Sequence, residues 1–171
     1  MNNSIQYQYF PKNKKLPFFL QEVVTVFINN NESICSSRNK LKSNIVLSIV
    51  SGELETLGFA IEQSKKQEEK IQIPVLFGKN GTLEKFFDAD GYHQDRKIVL
   101  EVEAGRAVSN YQFLKDLFQA CVMSDVEYLV IAVRNIYRSN PDFEKVITFF
   151  DTLYTSGRLE LPLKGILIIG Y

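Results

Sequence analysis

The sequence predicts an α/β fold in which an antiparallel hairpin feeds a mixed, partly parallel central sheet flanked by helices. Three observations predict it. Two β-prone runs surround a polar turn in KFFDADGYHQDRKIVLEVEAG, residues 85–105. VEYLVIAV (126–133) and GILIIG (165–170) are nearly continuous apolar runs, the pattern of strands buried on both faces. Helical stretches separate these strands, so the order from the hairpin onward is β-β-α-β-α-β. Each β-α-β crossover predicts neighbouring parallel strands joined with right-handed chirality.

Residues 1–40 are the least regular part, an irregular or helical appendage. Leu16–Ile28 is apolar enough for a helix beginning near Pro17, and 29–31 and 33–39 read as loop. A clearer helix spans Ser43–Leu57, with Gly58 where a C-terminal cap belongs. At 100° per residue, Val46, Val50, Leu54 and Leu57 fall within about 80° of one another. Glu53 falls inside that stripe and Glu55 opposite it. A carboxylate aimed at a core requires a partner, a cation or a metal, so Glu53 is a candidate functional residue.

Phe59–Gln63 reads as a strand, SKKQEEK (64–70) as a solvated turn, Ile71–Phe77 as a further strand and GKNG (78–81) as a turn without P-loop or dinucleotide spacing. In the hairpin, a two-residue turn at Asp95-Arg96 pairs Gln94 with Lys97. Counting back, Asp90 faces Glu101 and Asp88 faces Glu103. Alternation then puts Asp88, Asp90, Glu101 and Glu103 on one face, opposite Phe87, Ala89, Leu100 and Val102. Ser109–Met123 reads as a helix with Ser109 and Gln112 in capping-box spacing and an apolar stripe of Tyr111, Leu114, Phe118 and Cys121. Asn140-Pro141 opens a last helix running to about Tyr154.

The chain has 171 residues, 45% hydrophobic and 23% charged, which fits a single globular domain. Lys+Arg and Asp+Glu are 20 each, so a wholly cationic nucleic-acid binder is excluded. The charge is nevertheless uneven: residues 1–50 carry a net +4, and the two remaining parts −2 each. Lys12, Lys14, Lys15, Arg38, Lys40 and Lys42 make the first part basic. One histidine, His93, excludes sites that need two, and two cysteines exclude a disulfide framework. No signal-peptide core or membrane-length apolar run is present, so a cytoplasmic protein is expected.

Four carboxylates on one hairpin face repel, by about 0.2–1 kcal/mol for each directly opposed pair. A hard divalent cation with oxygen ligands offsets that repulsion. With Asp90, ten intervening residues and then Glu101-Val102-Glu103, the hairpin resembles the PD-(D/E)XK nuclease signature. In that superfamily an Asp stands on one strand and (D/E)-x-K on the next. The element order over residues 43–134 is similar to the family's αβββαβ core, followed here by an extra αβ unit at 140–171. Glu103 stands where most members carry Lys, as in type II restriction endonucleases of the BamHI and BglII kind, and Glu53 is similar to the added helix Glu of those enzymes. The Pro before the Asp is absent.

The resemblance implies a restriction-endonuclease-like fold and Mg²⁺- or Mn²⁺-dependent hydrolysis of double-stranded DNA by a homodimer. It implies Asp90, Glu101 and the Val102 carbonyl as metal ligands, Glu103 as the group that orients or activates water, and Glu53 as a ligand or support. The ligand choice stays open between Asp88 and Asp90, with Asp90 preferred because it lies opposite Glu101. Arg106, just after the motif, and Lys115, at the border of its helix's apolar stripe, are candidate phosphate contacts. A nuclease fold without catalysis, acting as a DNA- or protein-binding subunit, is the alternative.

Overall fold

The structure, a computed structural model, describes residues 4–63 and 70–171. The expected solvated turn at 64–70 lies outside the described residues except for Lys70. Eight strands and five α-helices are present among the described residues: β1 (Gln6–Phe10), α1 (Phe18–Asn29), α2 (Asn31–Ile34), α3 (Ser43–Thr56), β2 (Ala60–Ile61), β3 (Ile71–Phe77), β4 (Leu83–Ala89), β5 (Gly91–His93), β6 (Ile98–Glu103), α4 (Gln112–Val122), β7 (Tyr128–Val133), α5 (Asp142–Ser156) and β8 (Gly165–Gly170). Six strands form one mixed sheet in the order β1-β8-β7-β6-β5-β2, and β3-β4 form a separate two-stranded arm. None of the helices is long and apolar enough to cross a membrane, among the described residues.

The parallel centre follows from the crossovers. β6, β7 and β8 are parallel neighbours, with Leu100 beside Val130 and Val130 beside Leu167. Alternation divides their side chains between two cores. Leu100, Val102, Val130 and Leu167 pack with α1, α2 and α3 on one face. Val99, Leu129, Ile131 and Ile168 pack with α4 and α5 on the other. The hairpin register matches the expectation, with His93 opposite Ile98 and Gly91 opposite Leu100.

Four expectations need correction. The N-terminal region is not only irregular and helical, because β1 forms an edge strand antiparallel to β8. Residues 31–34, expected as loop, close into the short helix α2. The strand expected over 59–63 is paired only at Ala60 and Ile61. The helix expected from Ser109 begins at Gln112, preceded by Tyr111 in the left-handed region at φ 52°, and Ser109 Oγ donates to the Gly105 carbonyl instead of capping.

The buried face of α4 is also rotated by one position from the expected stripe. Phe113, Asp116, Leu117 and Ala120 are buried, while Tyr111 and Phe118 are exposed. The apolar residues alone fit either face; packing on β6 and β7 selects the one that carries an acid. α5 likewise begins at Asp142, after Pro141, rather than with Asn140 as its cap.

Candidate active site

Asp90 sits where the chain changes sheets. Ala89 is the last residue paired in the β3-β4 arm and Gly91 the first paired in the main sheet. The Val102 N–H donates to Asp90 Oδ2 at 2.8 Å, and Glu62 N–H donates to the Asp90 carbonyl at 2.9 Å. In an extended strand a residue's N–H and C=O share an edge, so the Val102 carbonyl also faces the Asp90 side.

Glu101 and Glu103 alternate with Val102 and therefore turn to the α4 face, where Asp116 is buried on the second turn of that helix. Lys115 Nζ pairs with Asp116 Oδ1 at 3.3 Å while more than half of the Lys115 side chain stays exposed. Asp90, Glu101, Glu62, Lys115 and Gln119 line one cleft of about 350 Å³. A second cleft, of about 390 Å³, runs along the start of α3 and shares Asp90 and Glu62 with the first.

The electrostatics are those of acids crowded without enough positive charge. Burial pushes the Asp90 carboxyl up to about 6, against the Val102 N–H, which favours its ionised form. Burial, then repulsion from Asp90, holds Glu101 well above the usual carboxylate range. Burial, then the charge of Asp116, pushes Glu103 up to about 7. Burial lifts Asp116 to about 6, opposed chiefly by Lys115. Neither buried oxygen of Asp116 receives a hydrogen bond beyond its ion pair with Lys115, and its carboxyl interacts with that of Glu103.

Asp90, Glu101, Glu103 and Lys115 are thus brought together. Glu53 is not, and its expected inward position is a correction. α3 packs on the sheet face opposite the one to which Glu101 turns. Glu53 itself is exposed there and accepts hydrogen bonds from Asn29 Nδ2 and Asn30 Nδ2, both at 2.8 Å. Its neighbours are amides rather than a metal site.

Asp88 lines the Asp90 cleft but does not face Glu103. It pairs with Gln72 in the arm, and its Oδ2 is held by Lys70 Nζ at 2.7 Å. Arg106 is exposed on the turn before α4 and does not line this cleft. His93 is structural: it packs edge-on against Phe59, and its Nδ1 accepts the Arg96 N–H.

Two site residues escaped the sequence. Asp116 carried a signal, an acid between Phe113 and Leu117, that was hidden by drawing the helix stripe through Tyr111 and Phe118. Glu62 follows a two-residue strand, and nothing in its spacing marks it.

The donor set fits a hard cation, because the carboxyls of Asp90 and Glu101 are raised by burial and neither has an ion-pair partner among the described residues. Among the described residues no three acidic, histidine or cysteine side chains form a metal-holding group. A bound ion would therefore rely on two carboxylates and the Val102 carbonyl, with water and substrate oxygens completing its shell, as Mg²⁺ commonly does. The chain matches no family model, no curated protein and no solved structure.

Proposed function

We propose that the chain is a metal-dependent endodeoxyribonuclease with a restriction-endonuclease-like core, hydrolysing phosphodiester bonds in double-stranded DNA. The observation that supports it is the meeting of Asp90, Glu101 and Glu103 beside Lys115 at the junction of β5 and β6. Asp90, Glu101 and the Val102 carbonyl would hold Mg²⁺ or Mn²⁺, which when bound supplies positive charge against the phosphate and makes water more acidic.

Glu103 is suited to accept the proton of an attacking water, because a carboxyl near 7 changes charge close to neutral pH. The charge of Asp116 tunes that carboxyl upward. Lys115 supplies the cation that the strand lacks, since Glu103 occupies the position usually taken by Lys. Its half-exposed side chain borders the cleft, and its ammonium, paired with Asp116, keeps further donors for a phosphate oxygen.

The test is cleavage of supercoiled plasmid DNA with Mg²⁺ or Mn²⁺, comparing wild type with Asp90→Asn and Glu101→Gln. Cutting that requires metal and is lost in both variants supports the reading. No cutting of any DNA sinks it. A second reading is a catalytically inactive DNA- or protein-binding subunit, favoured by the absence of a three-ligand metal group among the described residues. Calorimetric titration separates the two, because only the first requires Mg²⁺ binding that disappears in Glu101→Gln.

A further inference from the structure

We propose that the cleft at the carboxyl ends of β6 and β7 is a phosphate site, in which Arg134, Arg138, Lys40 and Lys42 seat a nucleic-acid phosphate beside the carboxylates. The cleft has a volume of about 580 Å³, and no acidic residue lines it. It opens at Ala104, one residue after Glu103, and at Arg134, one residue after β7. The carboxyl ends of parallel strands are where open α/β sheets bind ligands.

Arg134 is the reason to expect an anion there. It is only 8% exposed, and its Nε is buried without a hydrogen-bond partner. Its held contacts are neutral: Nη2 donates to the Leu41 carbonyl, the Tyr171 hydroxyl meets the side chain, and the guanidinium lies 5.2 Å from the centre of the Tyr137 ring. Asp142 feels its field, yet Arg134 makes no ion pair among the described residues. A buried cation whose nearest counter-charge, Asp142, is too far to pair is costly, and an arriving anion lowers that cost.

Arg138 adds a second guanidinium, also 5.2 Å from the Tyr137 ring centre. The ring therefore places two cations without neutralising either. The ring in turn is seated by Gly105, whose φ of 95° and missing Cβ leave the space that Tyr137 fills. Arg138 and Ser139 both have positive φ, and Tyr137 bridges Asn140, so a two-residue turn of the I′ kind presents Arg138 outward. Planar guanidiniums suit phosphate oxygens, and Lys40 and Lys42 add mobile charge at the rim.

Glu101 and Ala104 are three residues apart, roughly 10 Å along an extended strand, so a ligand that reaches both is larger than a single phosphate. Assigning the phosphate to a nucleic acid rests on the nuclease reading; the preference for an anion does not.

The test uses fluorescence anisotropy in EDTA over a salt series, with a labelled 20-base-pair duplex carrying or lacking a 5′-phosphate at its unlabelled end. Wild type is compared with the triple variant Lys40→Ala, Lys42→Ala, Arg138→Ala, whose three side chains are exposed and whose melting temperature checks the fold. Binding about tenfold weaker, with a salt slope smaller by at least about 1, is expected. If loss of the 5′-phosphate weakens wild type alone, the site holds a chain end; if it changes nothing, it holds the backbone. Equal affinity and slope in both proteins, or no duplex binding by wild type, overturns the proposal. Plasmid cutting by the same proteins is scored separately: a wild type that binds through the cleft but never cuts sinks only the nuclease reading.

Discussion

Asp90 and Val102 are joined side chain to backbone across the seam between two sheets, Oδ2 to N–H at 2.8 Å. Asn retains an acceptor for that N–H and Ala does not. Both remove the charge, so their difference isolates the hydrogen bond. Asp90→Ala is expected to be about 1–3 kcal/mol less stable than Asp90→Asn, the usual cost of a buried orphaned donor. Urea unfolding at one pH measures the difference, and equal midpoints and slopes count against it.

The raised carboxylates fix the sign of the pH dependence. Asp90 and Asp116 move from 3.8 to about 6, and Glu103 from 4.5 to about 7. Between those limits the folded chain holds more protons than the unfolded chain, so stability falls as pH rises. The contribution is fully present below about pH 4 and is lost as pH passes through 6 to 7. Metal-free protein in EDTA should therefore melt lower at pH 8 than at pH 5, apart from any groups with the opposite shift. Mg²⁺ should raise the melting temperature more at pH 8 than at pH 5, which differential scanning calorimetry reads directly.

Asp116 sets where Glu103 titrates. Removing its charge takes away the largest influence on Glu103 after burial. In Asp116→Asn the acidic limb of the cleavage pH–rate profile is expected to move to lower pH. Glu103→Gln is expected to lower cleavage about 10²- to 10⁴-fold, the range for a lost general base. A profile unmoved by Asp116→Asn would show that Glu103 is not the titrating group.

Lys115 acts as a cation at the cleft rather than as part of the core. Lys115→Ala is expected to reduce kcat about 10²-fold, the scale of losing one charge-stabilising donor. Lys115→Arg restores part of the rate, because it returns the charge. Single-turnover cleavage at saturating enzyme separates that effect from DNA affinity.

Glu53 supplies the contrast. Its contacts are the amides of Asn29 and Asn30 on an exposed surface. Glu53→Ala is expected to leave cleavage unchanged and to alter stability by about 0.5 kcal/mol or less, as is usual for surface substitutions. A large loss of cleavage in this variant would mean that the end of α3 carrying Glu53 acts on the site.

What was legible in the sequence is what period and order determine. The hairpin register from Gly91 to Leu100, the Ser43–Thr56 helix and the three parallel strands all follow from alternation or chain order. The expected pairing of Asp90 with Glu101 falls one residue beyond the ladder, which ends at Gly91 and Leu100, although both residues line one cleft. The break at Asp90 does not follow from counting: β4 and β5 read as one strand, and only tertiary pairing sends residues 83–89 to β3. That is why Asp88 left its place opposite Glu103.

The two helix faces failed for a related reason. In α3 the stripe was right in placing Val46, Val50 and Leu54 inside, but Glu53 lies at its margin, where a surface amide cluster serves as well as a core partner. In α4 two apolar faces compete, and a buried Asp116 becomes visible only when the sheet chooses between them.

The edge of the six-stranded sheet beside the site is closed to β-pairing in a practical sense. β2 offers two paired residues next to β5, too short a template for another strand to extend the sheet. The other free edge of the six-stranded sheet, β1, lies at the far side of β8, three strands away from β6. A second copy extending that sheet through β1 would therefore assemble at a distance from Asp90, and the seven-residue strands of the β3-β4 arm, which runs into Asp90, are the backbone edges near the site.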